Sequence, residues 1–279
     1  MPTDAREMTP EPVAMAPQDG VEISCDAFLG GAVHAYQPRR GYRAGLDAVL
    51  LAASVTPAAR RPGQRLLDVG AGVGVVGLCS AARLPGIHVT LVEQSATLCD
   101  LAARNIAAND LEHRAVVVAH DVTCRAEPVH EQLADNSFDM VVSNPPFYDA
   151  AKHRQSPHAL KAASHAMPDA GLDGWVRFMA RKTKAGGTAI MIHRADQLSA
   201  MLSAFQRRFG ALTVLPLHPR AGEPASRVIL RGVRGSRAPL TIAPANCLHG
   251  QDNRFTPEID KILKSPSPLS LDAGATIGA

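Results

Sequence analysis

The chain has 279 residues, of which 46% are hydrophobic, so it can fill a substantial core; α/β folds often run to this length as one unit. No uninterrupted apolar stretch approaches the ~20 residues needed to span a bilayer, and the N-terminus lacks the basic-then-apolar order of a secretory signal, so a cytoplasmic protein is expected. Five scattered cysteines (Cys25, Cys79, Cys99, Cys124 and Cys247) form no Cys-x-x-Cys pair and the histidines show no ligand spacing, which argues against a zinc ribbon, a disulfide framework and a bound metal.

Residues 1–26 carry six acids (Asp4, Glu7, Glu11, Asp19, Glu22 and Asp26) against Arg6 alone and include four prolines, a composition that predicts a disordered acidic arm. Without this arm the totals of 29 basic and 26 acidic residues become 28 and 20, a net charge of +8 instead of +3. Most of the excess lies late: between Asn144 and Arg237 there are fifteen Lys or Arg and five acids, which suits either a surface that meets phosphates or an ordinary solvated face.

The first informative element is the short apolar strand 65–69, followed by Gly70, Gly72 and Gly74 and then a helix-compatible stretch from Val75 to Leu84. Glycines at a first strand-to-helix turn let a ligand approach the backbone closely. A second strand, Ile87 to Val92, ends in Glu93. An acid at that tip is positioned to hydrogen-bond a ribose diol, a logic shared by nicotinamide and S-adenosylmethionine sites. The Gly70-x-Gly72-x-Gly74 spacing lacks the last glycine of the dinucleotide fingerprint in its register, although Gly77 sits at a neighbouring offset. A third strand, Ala115 to His120, leads to Asp121 and Val122, where an acid also reads as a plain turn residue or helix cap.

The fourth strand, Phe138 to Val142, runs into Ser143-Asn144-Pro145-Pro146-Phe147-Tyr148. Two consecutive prolines fix φ and supply no amide protons, and Pro145 pushes Asn144 out of the helical region, so the chain leaves the strand extended. The Asn144 side-chain carbonyl and the Pro145 backbone carbonyl therefore have no local donor. They suit the two protons of a flat conjugated amine such as the exocyclic nitrogen of adenine, and accepting both draws electron density onto that nitrogen. Phe147 offers a ring face for stacking, worth about 1–3 kcal/mol per base. Taken alone the tetrapeptide also fits an ordinary proline-rich turn; the upstream glycine turn and Glu93 favour the chemical reading.

Lys152, His153, Arg154, His158, Lys161 and His165 fall in a long loop before a helix that begins near Leu172, and such loops are usually functional or disordered. In that helix Trp175, Val176, Phe178 and Met179 suggest a core face, and Arg177, Arg181, Lys182 and Lys184 a solvated flank. Gly186-Gly187 is expected to end it. A fifth strand follows at Thr188 to Ile192, then an amphipathic helix over 195–209, and then the apolar segments 212–217 and 227–233, which read as an antiparallel closing pair. Near the C-terminus Phe255 to Leu263 contains a short helix with proline in its first turn. Disorder is expected after Lys264.

With these residues in place, the chain resembles the class I S-adenosylmethionine-dependent methyltransferases and, among them, the Asn-Pro-Pro-Phe/Tyr amino-methyltransferases. It is most similar to the bacterial tRNA1(Val) adenine-37 N6-methyltransferase family, over roughly residues 34–235, with Gly41 to Ala53 resembling that family's lead-in helix. The resemblance implies a single doubly wound α/β domain with a mostly parallel seven-stranded sheet and an antiparallel closing strand, over 27–245, followed by a C-terminal extension, 246–279. It implies S-adenosylmethionine as cofactor, with Asp68, Gly70 and Gly72 cradling its methionine portion, Glu93 its ribose, and Asp121 with Val122 its adenine. Asn144 would touch donor and target, forming with Pro145 and Phe147 the catalytic set. RNA, as tRNA, is the implied partner, with Lys152, Arg154, Lys161 and Arg227 as contact candidates; the family carries an arginine at the strand of Arg227, with a role there that is phosphate-binding or structural. An Asn-Pro-Pro-Phe pocket also serves guanine amines in ribosomal RNA and a glutamine amide in release factors; the latter family carries a helical N-terminal domain for which the acidic arm leaves no room. A non-catalytic RNA-binding relative is disfavoured by the intact glycine turn and Asn144.

Overall fold

The central apolar runs are buried on both faces, as strands of a parallel sheet covered by helices must be. A computed structural model describes residues 22–41, 43–57, 62–124, 130–146 and 171–271. The chain opens with the hairpin β1 (Ile23–Phe28) and β2 (Val33–Pro38), followed by α1 (Leu46–Ser54). Then come β3 (Gln64–Val69), α2 (Val75–Arg83), β4 (Ile87–Glu93), α3 (Ala96–Ala108), β5 (Ala115–Ala119) and β6 (Phe138–Ser143). The second half contains α4 (Gly171–Lys182), β7 (Thr183–Arg194), α5 (Leu198–Gln206), β8 (Phe209–His218) and β9 (Arg227–Arg234). Two short strands, β10 (Thr241–Ile242) and β11 (Asn246–Cys247), and α6 (Pro257–Lys264) complete it.

Seven long strands lie in the order β5-β4-β3-β6-β7-β9-β8, with β9 antiparallel to both of its neighbours. The doubly wound arrangement with an antiparallel closing strand is therefore present; β10 and β11, each two residues long and parallel to β8, raise the strand count to nine. From β3 the chain steps outward to β4 and β5 and then returns to β6 on the other flank of β3. This reversal opens a crevice at the carboxyl ends of the strands, where ligands of open α/β sheets sit.

Alternation along the strands divides the core into two layers. Leu66, Leu91, Met140, Val142 and Ile190 pack with α1, α2, α3 and α6. Leu67, Val69, Val92, Val141 and Met191 face α4 and α5 on the other side. Among the described residues no helix is long and apolar enough to cross a membrane.

The hairpin was not legible in the sequence. Fully buried Asn105 of α3 behaves like a piece of main chain: its Oδ1 accepts the Tyr36 amide at 2.7 Å and its Nδ2 donates to the carbonyls of Tyr36 (3.1 Å) and Val73 (2.9 Å). One turn on, Asn109 bonds the His34 amide and carbonyl in the same way. The Arg104 guanidinium lies 3.5 Å from the centre of the Tyr36 ring. The hairpin is thus bonded to the helix layer and, through Val73, to the glycine turn.

Four expectations are corrected. The arm does not extend to residue 26, because 23–26 form β1 and Asp26 accepts from Gln37 at 2.8 Å; residues 1–21 lie outside the described residues. Disorder does not begin at 264, since Leu269 and Leu271 are buried and the Leu269 amide donates to the Ala53 carbonyl at 2.8 Å; residues 272–279 lie outside the described residues. The helix after the long loop ends at Lys182, not at Gly186-Gly187. There the amides of Asn136 and Ser137 cap the carbonyls of Arg181 and Lys182, and the buried Lys182 ammonium donates to the Leu133 carbonyl and to Asp135 at 2.8 Å. Gly186, at φ +77°, instead belongs to an irregularity in β7, whose pairing with β6 skips between Thr183 and Thr188. The helix expected over 195–209 is shorter: a 3-10 turn, Ala195–Gln197, precedes α5, and Phe209 already starts β8.

Replacing Asn105 by alanine removes this partner from the buried Val73 carbonyl and from the half-buried carbonyl and amide of Tyr36, so it should lower unfolding stability by about 1–3 kcal/mol for each group that water cannot reach. Asn109→Ala, closer to solvent, should cost less. Denaturant midpoints compare the two, and equal shifts would contradict the role assigned to Asn105.

Candidate active site

The site grows from two strand ends that are tied together. Val69, last residue of β3, pairs with Ser143, last of β6. The Ser143 hydroxyl donates to the Val69 carbonyl at 2.8 Å and accepts the Trp175 indole N–H at 2.7 Å. All three residues are buried. One residue beyond this junction the β3 side becomes the glycine turn and the β6 side becomes Asn144.

Gly70 adopts φ +70°, and a Cβ there would sit 2.6 Å from the Trp175 ring. The first glycine is therefore required by the tryptophan that packs over it, in addition to its left-handed backbone. The amides of Gly70 and Ala71 both donate to the Val92 carbonyl (2.9 and 2.8 Å), which fastens the turn to β4.

Glu93 closes the next side. Its carboxylate accepts the Gly72 amide on Oε2 at 3.0 Å and the amides of Gln94 and Ser95 on Oε1 at 2.9 Å each. Oε1 is saturated, whereas Oε2 retains acceptor capacity for a hydroxyl. Asp121 and Val122 form a third wall; the Asp121 carboxylate takes the Thr123 amide at 2.8 Å and hydroxyl at 2.7 Å, so it is a turn acid that also faces the cleft.

These walls line a cleft that opens to solvent. Of the residues singled out from sequence, Gly70, Gly72, Glu93, Asp121, Val122 and Asn144 line it together. Pro146 lines it and Pro145 is buried beside it; Phe147, Lys152, Arg154 and Lys161 lie outside the described residues. The Asn144 Oδ1 is buried without a hydrogen-bond partner among the described residues. A glycine cradle, a strand-tip carboxylate with spare capacity and an orphaned carbonyl suit a ligand that brings hydroxyls and N–H groups. Sequence reasoning missed Trp175, His120, Gln94 and Leu98, which also line the cleft. Trp175 was placed in the core by its helical spacing; that it is the chain's single tryptophan was the available signal.

One expected cofactor residue lies behind the cleft. Asp68 does not line the cleft: it is 1% exposed, and its Oδ2 accepts the Gly77 amide at 3.0 Å. Gly77 is the third residue of α2, whose N-cap Gly74 has no side chain, so Asp68 satisfies an otherwise orphaned helix amide from the neighbouring strand. Burial pushes its carboxyl up to about 7, the Gly77 amide opposing and Glu93 adding to the rise. Arg227, the contact candidate on β9, starts that strand with its Nε on Asp47 of α1 at 2.8 Å and so links sheet and lead-in helix. Among the described residues no group of three or more His, Cys, Asp or Glu is placed to hold a metal.

Comparison with known proteins agrees with this geometry. The family model described as "Methyltransferase small domain" matches residues 47–173. A solved structure of a predicted O-methyltransferase from Agrobacterium tumefaciens superposes with a TM-score of 0.65 at 32% identity, covering 80% of this chain and 98% of that one. The chain belongs to the S-adenosylmethionine-dependent methyltransferases. Among curated relatives, a tRNA1(Val) (adenine(37)-N6)-methyltransferase of Porphyromonas gingivalis is 34% identical over 113 residues, 40% of this chain and 43% of that protein. One of the same name from Tolumonas auensis is 28% identical over 81% of this chain and 90% of its own length. A release factor glutamine methyltransferase of Xylella fastidiosa is 31% identical over half of each chain. The chain thus spans less than half the length of the Porphyromonas relative.

The Asp68 carboxyl makes stability depend on pH. With its folded value about 7 against 3.8 for the free group, the native state holds a proton that the unfolded state has released; the stabilisation is complete below 3.8 and lost as pH rises through 7. Between pH 5 and 8 the wild type should therefore lose more stability than Asp68→Asn, in which the amide stays neutral. Urea unfolding of both proteins across this range reads the difference; parallel profiles would show that Asp68 is ionised throughout.

Proposed function

We propose that this protein is an N-methyltransferase that moves the methyl of S-adenosylmethionine to the exocyclic amine of adenine in RNA, with tRNA as the acceptor. The observation that carries the reading is the position of Asn144: its unpartnered Oδ1 lies in the cleft that the glycine turn and Glu93 also form. A buried carbonyl with no donor costs about 1–3 kcal/mol, and an amino group entering the cleft relieves that cost.

The residues divide the work as follows. Gly70 and Gly72 leave room against the backbone for the donor's methionine portion, the free capacity of Glu93 Oε2 suits its ribose hydroxyls, and Asp121 with Val122 flanks its adenine. S-adenosylmethionine supplies an electrophilic methyl on a positively charged sulfur. On the acceptor side, Asn144 Oδ1 and the Pro145 carbonyl take the two amine hydrogens, which fixes the direction of the nitrogen lone pair and draws the nitrogen toward a pyramidal form. No general base is needed before attack; as the N–C bond forms the S–C bond would break, the neutral thioether S-adenosylhomocysteine would leave, and the methylated amine would lose one proton to solvent. In this reading Phe147 stacks on the base, and Lys152, Arg154 and Lys161 meet the RNA backbone; Asp68 acts behind the cradle by holding α2 to β3.

The acceptor base must leave its stack to reach the cleft, at a cost of a few kcal/mol that is least in a loop. The names of the Porphyromonas and Tolumonas relatives support adenine in tRNA. The relative named for glutamine methylation supports a second reading, in which the same two carbonyls hold a side-chain amide of a protein.

Incubation with S-adenosylmethionine and unmodified tRNA, followed by nucleoside mass spectrometry, should yield N6-methyladenosine. Methylated guanosine, or methylation only of a release-factor glutamine, would replace adenine as the acceptor. Asn144→Ala should lower turnover roughly a hundred-fold or more, in the range for removing one preorganised polar group. Donor affinity, followed through Trp175 fluorescence, should stay within about ten-fold. Full activity in that variant would dismiss the carbonyl clamp.

A further inference from the structure

The face formed by α4 and α5 carries an arginine cluster with too few acids. Three guanidinium groups converge on the single carboxylate of Asp173. Arg208 grips it with two nitrogens at 2.8 and 3.0 Å, whereas Arg207 stands 3.7 Å and Arg177 4.0 Å away. The Arg208 hydrogen bonds, with the other two guanidiniums adding to them, hold the Asp173 carboxyl below its usual range. Arg208 is the structural member: its side chain is 16% exposed and it also donates to the Ala204 carbonyl. Arg207 is 71% exposed and Arg177 42%, and each has only a distant share of the carboxylate. Further along α4, Arg181 shares Asp135 with Lys182 in the same unbalanced way. Five cations thus stand over two acids.

This face is continuous with the cleft. Asp173 and Gly174 directly precede Trp175, which lines it. An open groove lined by Val122, Cys124, Gly174, Arg177, Phe178 and Arg181 shares Val122 with the cleft and runs down α4. A helix–helix ion pair needs only Arg208. Two further exposed guanidiniums beside it repel one another unless an anion joins them, and the planar fork of arginine matches phosphate oxygens bidentately.

We propose that Arg177 and Arg207, continued by Arg181, form a docking surface for the phosphodiester backbone of the RNA whose base enters the cleft. This rests on the reading that the acceptor is RNA. Arg177 and Arg181 then leave the solvated flank to which their helical spacing assigns them.

The test is the salt dependence of binding to unfractionated tRNA between 50 and 200 mM salt. For the double variant Arg177→Gln/Arg207→Gln, the slope of log affinity against log salt should become shallower by about 1.5, close to one per phosphate contact. The apparent KM for tRNA should rise with little change in kcat. Asp173 and Arg208 are untouched, so the unfolding midpoint and the Trp175-reported donor affinity should match the wild type, and Lys264→Gln, which removes a charge on α6, should leave the slope unchanged. An unaltered slope in the double variant, with wild-type protein that binds and methylates tRNA, overturns this surface alone. A wild type without salt-dependent tRNA affinity overturns the RNA reading as well. Loss of methyl transfer to a protein glutamine, with tRNA binding intact, would assign the face to a protein acceptor and also overturn the proposal.

Discussion

The geometry of the site depends on one buried hydroxyl. Ser143 has a single proton to give and two lone pairs to offer, and it donates to the Val69 carbonyl while accepting the Trp175 indole N–H. These bonds join the ends of β3 and β6 at paired residues, so the glycine turn and Asn144 leave from strands about 4.8 Å apart. The tryptophan then covers Gly70, where no side chain fits. The glycine turn and the Asn144 carbonyl are thereby held at a separation set by sheet geometry, not by loops.

Two acids at neighbouring strand ends do different work because their surroundings differ. Asp68 is enclosed, favours its neutral form up to about pH 7 and fastens the first turn of α2. Glu93 is gripped by three main-chain amides that aim it at the cleft and leave one oxygen with capacity to spare. Asn105 adds a third restraint, bonding the Val73 carbonyl in the glycine turn and, on its other side, the hairpin. The N-terminal hairpin and the glycine turn are therefore parts of one hydrogen-bonded assembly.

Relatives similar to parts of this chain carry names with different acceptors, adenine in a tRNA and a glutamine of a release factor. In the proposed reading, two carbonyls beside an electrophilic methyl suit any planar amine or amide. On the proposed reading, what differs between a nucleic acid and a protein is the charge that travels with the acceptor, and the excess arginine lies along α4 and just after α5, beside the cleft.

The sequence alone determined the sheet's central strands, the glycine turn, Glu93 and the Asn-Pro-Pro exit, because each is a local pattern: apolar runs of strand length, a glycine spacing, a proline pair that forces extension. It also determined the antiparallel closing pair and the short helix led by Pro257. Only the tertiary structure decided what depends on partners distant in the chain. The fate of Asp68 turned on the distance to Gly77 in α2; the end of α4 turned on the amides of residues 136 and 137, not on the glycines that follow; β1 is ordered by its pairing with β2, which α3 holds, and the stretch 265–271 by bonds to α1 and α2. Trp175 and the Asp173 arginines show the same limit, since a helix's periodicity says which residues share a face and leaves open what that face meets.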